Sequence, residues 1–310
     1  MKQSIITFGF IGLLSCANAQ AINWEPSRGH SQLPIWPRGA PQSLPAAGRE
    51  RTTIVTDRPA AGKSGLGVDG VSVPTMTVYS PSGRNTRAAV VVFPGGGYQT
   101  LAINLEGTEV CDWLNSRGIT CVLLKYRVPG VGRYPKSGAY PNSPVALEDA
   151  QRTMGLVRFH AVEWRIDPHK IGVLGFSAGG HLVAAVSTNY KRRLYVQIDA
   201  ADKESCRPDF AVALYPGHML EHTKKEHQLN PFVPVTKDTP PTFLVQAEDD
   251  PVDDVDNSLV YYNALQAAGV AVEMHLCAHG GHAFGLRRTQ FPITEWPGLV
   301  EKWLVTIGVL

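Results

Sequence analysis

From residue 88 onward, short and largely apolar runs alternate with longer segments of helical periodicity. The apolar runs are predicted to be strands and cover residues 88–93, 119–126, 171–174, 210–214, 242–245 and 270–275. Buried parallel strands need cover on both faces, and helices that alternate with them along the chain provide it. The sequence therefore predicts an α/β protein with a mostly parallel central sheet and helices on both faces.

A strand–turn–helix sequence surrounds one serine in this alternation. The strand 171–174 runs into Gly175-Phe-Ser-Ala-Gly179, and an apolar helical segment follows. The pattern G-x-S-x-G is weak by itself in a chain of 310 residues with 30 glycines. Between a strand and a helix, however, it is typical of a nucleophile elbow, which presents a serine hydroxyl above the sheet. Ser177 is the predicted nucleophile.

A serine nucleophile needs a base and an orienting carboxylate. The chain order Ser, then Asp or Glu, then His is that of one large class of hydrolase. An acidic run, 248–254, follows the strand at 242–245. Asp250 is the predicted acid because Pro251 would fix the loop after it, and Asp249 is the alternative.

The predicted base lies in the loop after the next strand. His282 stands in the glycine-rich sequence His279-Gly-Gly-His-Ala-Phe-Gly285, and His279 is the alternative base. Both the acid and the base thus follow the carboxyl ends of strands, where open α/β sheets place their sites.

An oxyanion hole requires backbone N–H groups aimed at the charge that develops on the carbonyl oxygen. The residue after the nucleophile, Ala178, supplies one of them. A glycine run directly after the strand 88–93 supplies the other, with Gly96 and Gly97 as the expected donors.

Charge and histidine spacing give no support for binding of nucleic acid or of a metal. With 29 basic and 27 acidic residues the net charge is +2, which does not favour nucleic acid as a partner. His218, His222 and His227 have loosely metal-like spacing but lie in a lysine-rich charged segment, so no metal and no cofactor are expected. The segment 217–241 that contains them is either a rim of the binding site or an ordinary surface loop. The sequence leaves the oligomeric state open.

The N-terminus has the features of a signal peptide. Lys2 precedes an apolar run at 5–14 that is too short to span a membrane, and Ala17-Asn-Ala19 forms a cleavage site. Residues 1–19 are predicted to be removed after Ala19, and a lipid on Cys16 is the alternative. Either route makes the protein secreted or periplasmic.

Two segments follow the signal peptide. Residues 20–50 carry five prolines and are predicted to lie over the surface as an extension, while residues 51–310 form one catalytic domain. Export permits disulfides, but a domain of this size does not need them. Buried free thiols are therefore expected for the remaining cysteines, which are Cys111, Cys121, Cys206 and Cys277.

Five motifs point to one family. They are Phe93-Pro-Gly-Gly-Gly-Tyr98, Leu124-Lys-Tyr-Arg127, Gly175-Phe-Ser-Ala-Gly-Gly-His-Leu182, Asp249-Asp-Pro-Val252 and Gly281-His-Ala-Phe-Gly-Leu286. They resemble those of bacterial α/β-hydrolase esterases of the acetyl xylan esterase type, which are similar to the hormone-sensitive-lipase branch. Pro94 stands where the lipase branch has histidine, and Asp253 where relatives more often have valine.

The resemblance implies the α/β-hydrolase fold and a triad of Ser177, His282 and Asp250. It also implies removal of O-acetyl groups from xylan or related plant polysaccharides and oligosaccharides. Tyr98 is then a candidate to stack on a sugar, as are Trp24 and Trp36. The alternatives are a feruloyl, aryl or general short-chain carboxylesterase and, more remotely, a non-catalytic binding protein with a hydrolase fold.

Overall fold

The computed structural model describes residues 23–42, 48–60, 62–130, 138–221 and 227–310. Its strands are β1 (Gln32–Pro34), β2 (Arg51–Ala60), β3 (Lys63–Asp69), β4 (Thr75–Tyr79), β5 (Ala89–Phe93), β6 (Thr100–Ala102), β7 (Thr120–Lys125), β8 (Ile171–Phe176), β9 (Ala211–Leu214), β10 (Thr242–Ala247) and β11 (Val272–Cys277). Its α-helices are α1 (Glu109–Ser116), α2 (Val145–Phe159), α3 (Ala178–Asn189), α4 (Asp256–Ala267) and α5 (Trp296–Thr306). A π-helix spans Asn104–Thr108, and 3₁₀ turns span Ala200–Lys203 and Pro292–Glu295.

The central sheet has eight strands in the order β1-β4-β7-β5-β8-β9-β10-β11. From β7 to β11 all neighbours are parallel, while β1 and β4 are added antiparallel at one edge. The parallel strands β5, β7, β8, β9 and β10 are buried along their whole length. The prediction of a mostly parallel sheet in an α/β fold is confirmed.

Helices pack on the sheet in two groups. Trp113 of α1 and Trp296 of α5 meet edge to face, with ring centroids 5.4 Å apart. Helix α3 packs on β8 and β9 and also contacts α2. Because the helices cover the parallel strands, the functional loops are left at the carboxyl edge of the sheet.

The N-terminal segment is more than a surface extension. Its residues Gln32–Pro34 form β1, which pairs with β4, and Trp24 and Trp36 are buried. The indole N–H of Trp36 donates to Asp149 Oδ1 over 2.7 Å. The apolar side chains between the prolines of this segment pack into the core. The proposed processing positions, Cys16 and Ala19, lie outside the described residues.

The expectation of free thiols is wrong for two cysteines. Cys111 in α1 and Cys121 in β7 form a disulfide, with Cα atoms 5.1 Å apart. Helix α1 leads directly into β7 and packs against it, which brings the two residues within bridging distance. Cys206 and Cys277 are free. Among the described helices, none is long and apolar enough to cross a membrane.

Candidate active site

The serine of the G-x-S-x-G motif occupies a strained turn between β8 and α3. Ser177 has φ 52°, in the left-handed region that side chains rarely adopt. A Cβ on Gly175 would overlap the carbonyl oxygen of Gly179, and a Cβ on Gly179 would overlap that of Phe93. Both positions therefore require glycine, and the turn holds the Ser177 side chain at the carboxyl edge of the sheet.

The predicted base and acid meet directly. His282 Nδ1 lies 2.7 Å from Asp250 Oδ2, and the Asp250 side chain is fully buried. The second Asp250 oxygen accepts the backbone N–H groups of Val252 and Asp253, at 2.8 and 3.0 Å. Gln246 donates to Oδ2 over 3.1 Å. These donors fix the carboxylate, which in turn fixes the imidazole with Nε2 directed away from it.

Burial and charge act against each other on His282. Burial lowers the pKa of its imidazole, but the hydrogen bond and the charge of Asp250, with the charges of Asp253 and Glu106, outweigh it. The net effect is a raised pKa. Such an arrangement stabilises the imidazolium that forms when a base takes a proton from serine.

The alternative acid and the alternative base pair with each other, away from the nucleophile. Asp249 Oδ2 lies 3.2 Å from His279 Nδ1, and both side chains are largely exposed. Asp249 Oδ1 also accepts the backbone N–H groups of Gly280 and Gly281, at 2.9 and 2.8 Å. These residues brace the loop that carries His282 instead of joining the site.

Of the three expected oxyanion donors, Gly96 and Gly97 share a cavity with Ser177, and Ala178 follows Ser177 in the chain. His282 lines the same cavity. Ala178 is the first residue of α3, so its N–H belongs to the first turn, where N–H groups have no partner inside the helix. The positive end of the helix dipole adds to this site for negative charge.

A buried acid, Glu106, was not anticipated from the sequence. It lies in the π-helix, where it accepts the N–H of Gly95 over 2.7 Å and the Tyr215 hydroxyl over 2.9 Å. The Tyr215 ring packs edge-on against the His282 ring, with centroids 4.8 Å apart. The available signal was an acid directly after an uncharged stretch, residues 98–105, that follows the glycine loop; buried acids are rare unless partnered.

Asp253 is the second member whose place in the site was not anticipated: the sequence showed it within the acidic run 248–254 and as a departure from the family. Its Oδ2 accepts the hydroxyl of Ser177 over 3.2 Å and lies 3.8 Å from His282 Nε2. Burial raises the pKa of Asp253, while the charges of His282 and His218 oppose this. In the described structure the Ser177 hydroxyl is thus bonded to Asp253 and not to His282.

The aromatic residues suggested for sugar stacking are buried. Tyr98 is 2% exposed, and its hydroxyl lies 2.7 Å from His181 Nδ1. Burial lowers the pKa of His181 to about 3, so this histidine is neutral. The Tyr98 ring packs against Tyr126, His181 and His218. Because Tyr98, Trp24 and Trp36 are all buried, the structure contradicts their suggested role as platforms for a sugar.

The cavity above Ser177 has a volume of about 390 Å³ and also contains Asp253 and His218. His218 begins the segment 217–241, so this end of the segment contributes to the site; residues 222–226 lie outside the described part. A larger cavity of about 700 Å³ lies elsewhere, at Arg84 and Arg117, and is lined by neither Ser177 nor His282. Among the described residues, no three His, Cys, Asp or Glu side chains converge as metal ligands.

Comparison with known proteins agrees with this geometry. Residues 76–216 match the model of the BD-FAE family, and residues 148–306, half of the chain, match that of the prolyl oligopeptidase family. The crystal structure of an acetyl ester-xyloside bifunctional hydrolase from Caldicellulosiruptor lactoaceticus is 33% identical. It aligns with a TM-score of 0.70 over 90% of this chain and 97% of its own. The chain is an α/β-hydrolase esterase and belongs to the prolyl oligopeptidase family.

Curated relatives of this esterase are more distant. The acetylxylan esterase of Xylanibacter ruminicola is 29% identical over 66% of this chain and 42% of that protein. The arylesterase of Saccharolobus solfataricus is 28% identical over 73% of this chain and 78% of that protein. The esterase spans less than half the length of the acetylxylan esterase. It spans 37% of another relative, the endo-1,4-beta-xylanase B of Butyrivibrio fibrisolvens.

Proposed function

We propose that this esterase removes O-acetyl groups from xylan or related plant polysaccharides and oligosaccharides, with Ser177, His282 and Asp250 as its catalytic triad. The observation that carries the chemistry is the 2.7 Å contact of His282 with the buried Asp250, in the cavity that holds Ser177. The acetyl-carbohydrate substrate is supported by the 33% identity to the acetyl ester-xyloside hydrolase.

The proposed reaction is two-step acyl transfer. The Ser177 hydroxyl leaves Asp253, turns toward His282 Nε2 and gives up its proton as its oxygen attacks the ester carbonyl. Asp250 holds the imidazolium, while the N–H groups of Ala178 and the glycine loop bind the oxyanion. His282 then protonates the departing alcohol. In the second step His282 takes a proton from water as the water attacks the acetyl-enzyme, and it returns that proton to Ser177 as acetate leaves.

A feruloyl or aryl esterase is the second candidate, favoured by the likeness to the arylesterase. The two are distinguished by incubating the enzyme with acetylated xylan and with methyl ferulate. We expect acetate from the first and no ferulate from the second. Release of ferulate without acetate would replace the proposed substrate by the alternative.

The triad is tested by Ser177→Ala, which is expected to lower kcat on an aryl acetate by about 10⁴-fold or more. Ser187→Ala is the matched control, because Ser187 is a buried serine of the same helix with no hydrogen-bond partner among the described residues. It should retain activity. Comparable turnover by both variants would remove Ser177 from the mechanism.

We also propose that the protein is exported and processed after Ala19. The disulfide between Cys111 and Cys121 supports this, since such bonds persist in oxidising compartments. N-terminal sequencing of the protein from its native host should begin at Gln20. A lipid-modified Cys16 in the membrane fraction would support the lipoprotein alternative, and an intact Met1 in the cytoplasm would contradict both.

A further inference from the structure

Asp253 is held in place by its backbone. Its N–H donates to Asp250 Oδ1 over 3.0 Å, and its carbonyl oxygen accepts Gln246 Nε2 over 3.0 Å. The turn that fixes Asp250 behind His282 therefore also fixes Asp253 on the opposite side of that imidazole. On its far side the carboxylate packs against Gly217, where a Cβ would overlap it. A carboxylate held this firmly is built into the site.

Asp253 lies on the side of the site where the alcohol part of the ester would bind. His282 Nε2 must return its proton to the departing alcohol oxygen, so that oxygen has to lie within about 3 Å of Nε2. Asp253 Oδ2 lies 3.8 Å from the same nitrogen. The Asp253 carboxylate would therefore contact the alcohol part of the ester, whereas the glycine loop would contact the carbonyl oxygen of the acyl part.

Binding of substrate changes the partner of Asp253. In the free enzyme its carboxylate is satisfied by the Ser177 hydroxyl over 3.2 Å. Catalysis removes this donor, because Ser177 must turn to His282. Asp253, whose side chain is only 19% exposed, then keeps His282 and His218 nearby but loses its hydroxyl donor, and a hydroxyl of the substrate can replace that donor. A hydroxyl on the carbon next to the esterified carbon is the donor closest to the ester oxygen.

We propose that Asp253 is a specificity-determining residue, whose carboxylate accepts a hydroxyl adjacent to the ester in the alcohol part of the substrate. The enzyme then prefers monoacetylated polyols and sugars with a free neighbouring hydroxyl over acetates of simple alcohols. This inference rests on the proposed function for the acetyl group and names the feature of the alcohol that is recognised. A site built to bind a hydroxyl rejects an analogue that lacks it.

The test compares two acetates with the same carbon skeleton, glycerol 1-acetate and n-propyl acetate. For the wild type, kcat/KM should be at least tenfold higher on glycerol acetate. Asp253→Val should reduce this ratio at least tenfold, because valine removes the acceptor and suits the propyl chain. Asp254→Asn is the matched control: Asp254 is exposed and caps α4, and this variant should keep the wild-type ratio.

The ratio of kcat/KM on the two acetates also distinguishes recognition of the hydroxyl from a general effect of Asp253 on catalysis. The inference is overturned if Asp253→Val changes kcat/KM on both acetates by the same factor. It is also overturned if the wild type shows no preference between them. Asp253→Ala, which removes the acceptor without adding bulk, gives the same comparison if the valine variant does not fold. Failure to release acetate from xylan, with the ratio shift intact, would contradict the proposed polysaccharide and leave the role of Asp253 standing.

Discussion

The buried carboxylate of Glu106 accepts the backbone N–H of Gly95 over 2.7 Å, at the start of the loop that supplies Gly96 and Gly97. Its other oxygen accepts the hydroxyl of Tyr215 over 2.9 Å, and the Tyr215 ring lies against His282. One side chain thus ties the oxyanion loop to the support of the catalytic base. Burial raises the pKa of Glu106, although the hydrogen bond from Tyr215 works in the opposite direction.

Replacing Glu106 should therefore damage turnover more than binding. Glu106→Gln places an amide N–H against either the Gly95 N–H or the Tyr215 hydroxyl, which should displace the oxyanion loop or the support of His282. We expect kcat to fall about 10- to 100-fold, because oxyanion donors stabilise mainly the transition state. KM should change little. Glu295→Gln, in an exposed pair with Arg288, is the control and should resemble the wild type. An unchanged kcat in Glu106→Gln would contradict the positioning role.

Asp253 should also set the pH range of activity. The acid limb of kcat/KM follows deprotonation of His282, whose pKa is lowered by burial but raised overall by Asp250, Asp253 and Glu106. Asp253→Asn removes one of these negative charges, so the pKa falls and the limb moves to lower pH. Profiles on glycerol acetate for this variant, Asp254→Asn and wild type measure it. A limb that stays in place or moves upward contradicts the assigned electrostatics.

The disulfide should contribute to stability without affecting the site. Cys111 and Cys121 are both fully buried and lie 10 residues apart, so the chain-entropy model gives about 2.7 kcal/mol for the bridge. The double variant Cys111→Ala/Cys121→Ala should unfold at a correspondingly lower urea concentration with normal kcat. Cys206→Ala provides a comparison at a buried free cysteine. Equal stability with and without the bridge would exclude a stabilising role.

The N-terminal segment should depend on a buried ion pair for its attachment. Asp149 accepts hydrogen bonds from Trp36 Nε1 and from Arg127, whose side chain is fully buried. Asp149→Ala leaves the N–H groups of Trp36 Nε1 and Arg127 Nε without an acceptor, although Glu148 still pairs with the Arg127 guanidinium. It should destabilise the protein by about 3 kcal/mol in urea unfolding, because buried donors without an acceptor cost roughly 1–3 kcal/mol each. Asp238→Ala breaks an exposed pair with Lys191 and should be nearly neutral. Similar effects of the two changes would contradict this account.

Adjacent residues mark the limit of prediction from the sequence. Asp249 and Asp250 follow the same strand, and the spacing does not distinguish them. In the structure Asp250 turns inward to His282, whereas Asp249 binds the N–H groups of Gly280 and Gly281 at the surface. The orientation depends on the turn after β10 and on the loop after β11, which meet only because these strands pair in the folded sheet.

The sequence by itself determined the parallel sheet, the turn at Ser177 and the order in which the candidate catalytic groups follow one another. These features depend on local patterns, because strand burial, tight turns and helix starts are encoded within a few residues of each other. The tertiary structure decided that Tyr98 is buried, that Cys111 bonds Cys121, and which groups surround His282. The Tyr215–Glu106 hydrogen bond joins residues 109 positions apart. Such contacts arise from how the elements pack, and no local pattern in the chain specifies them.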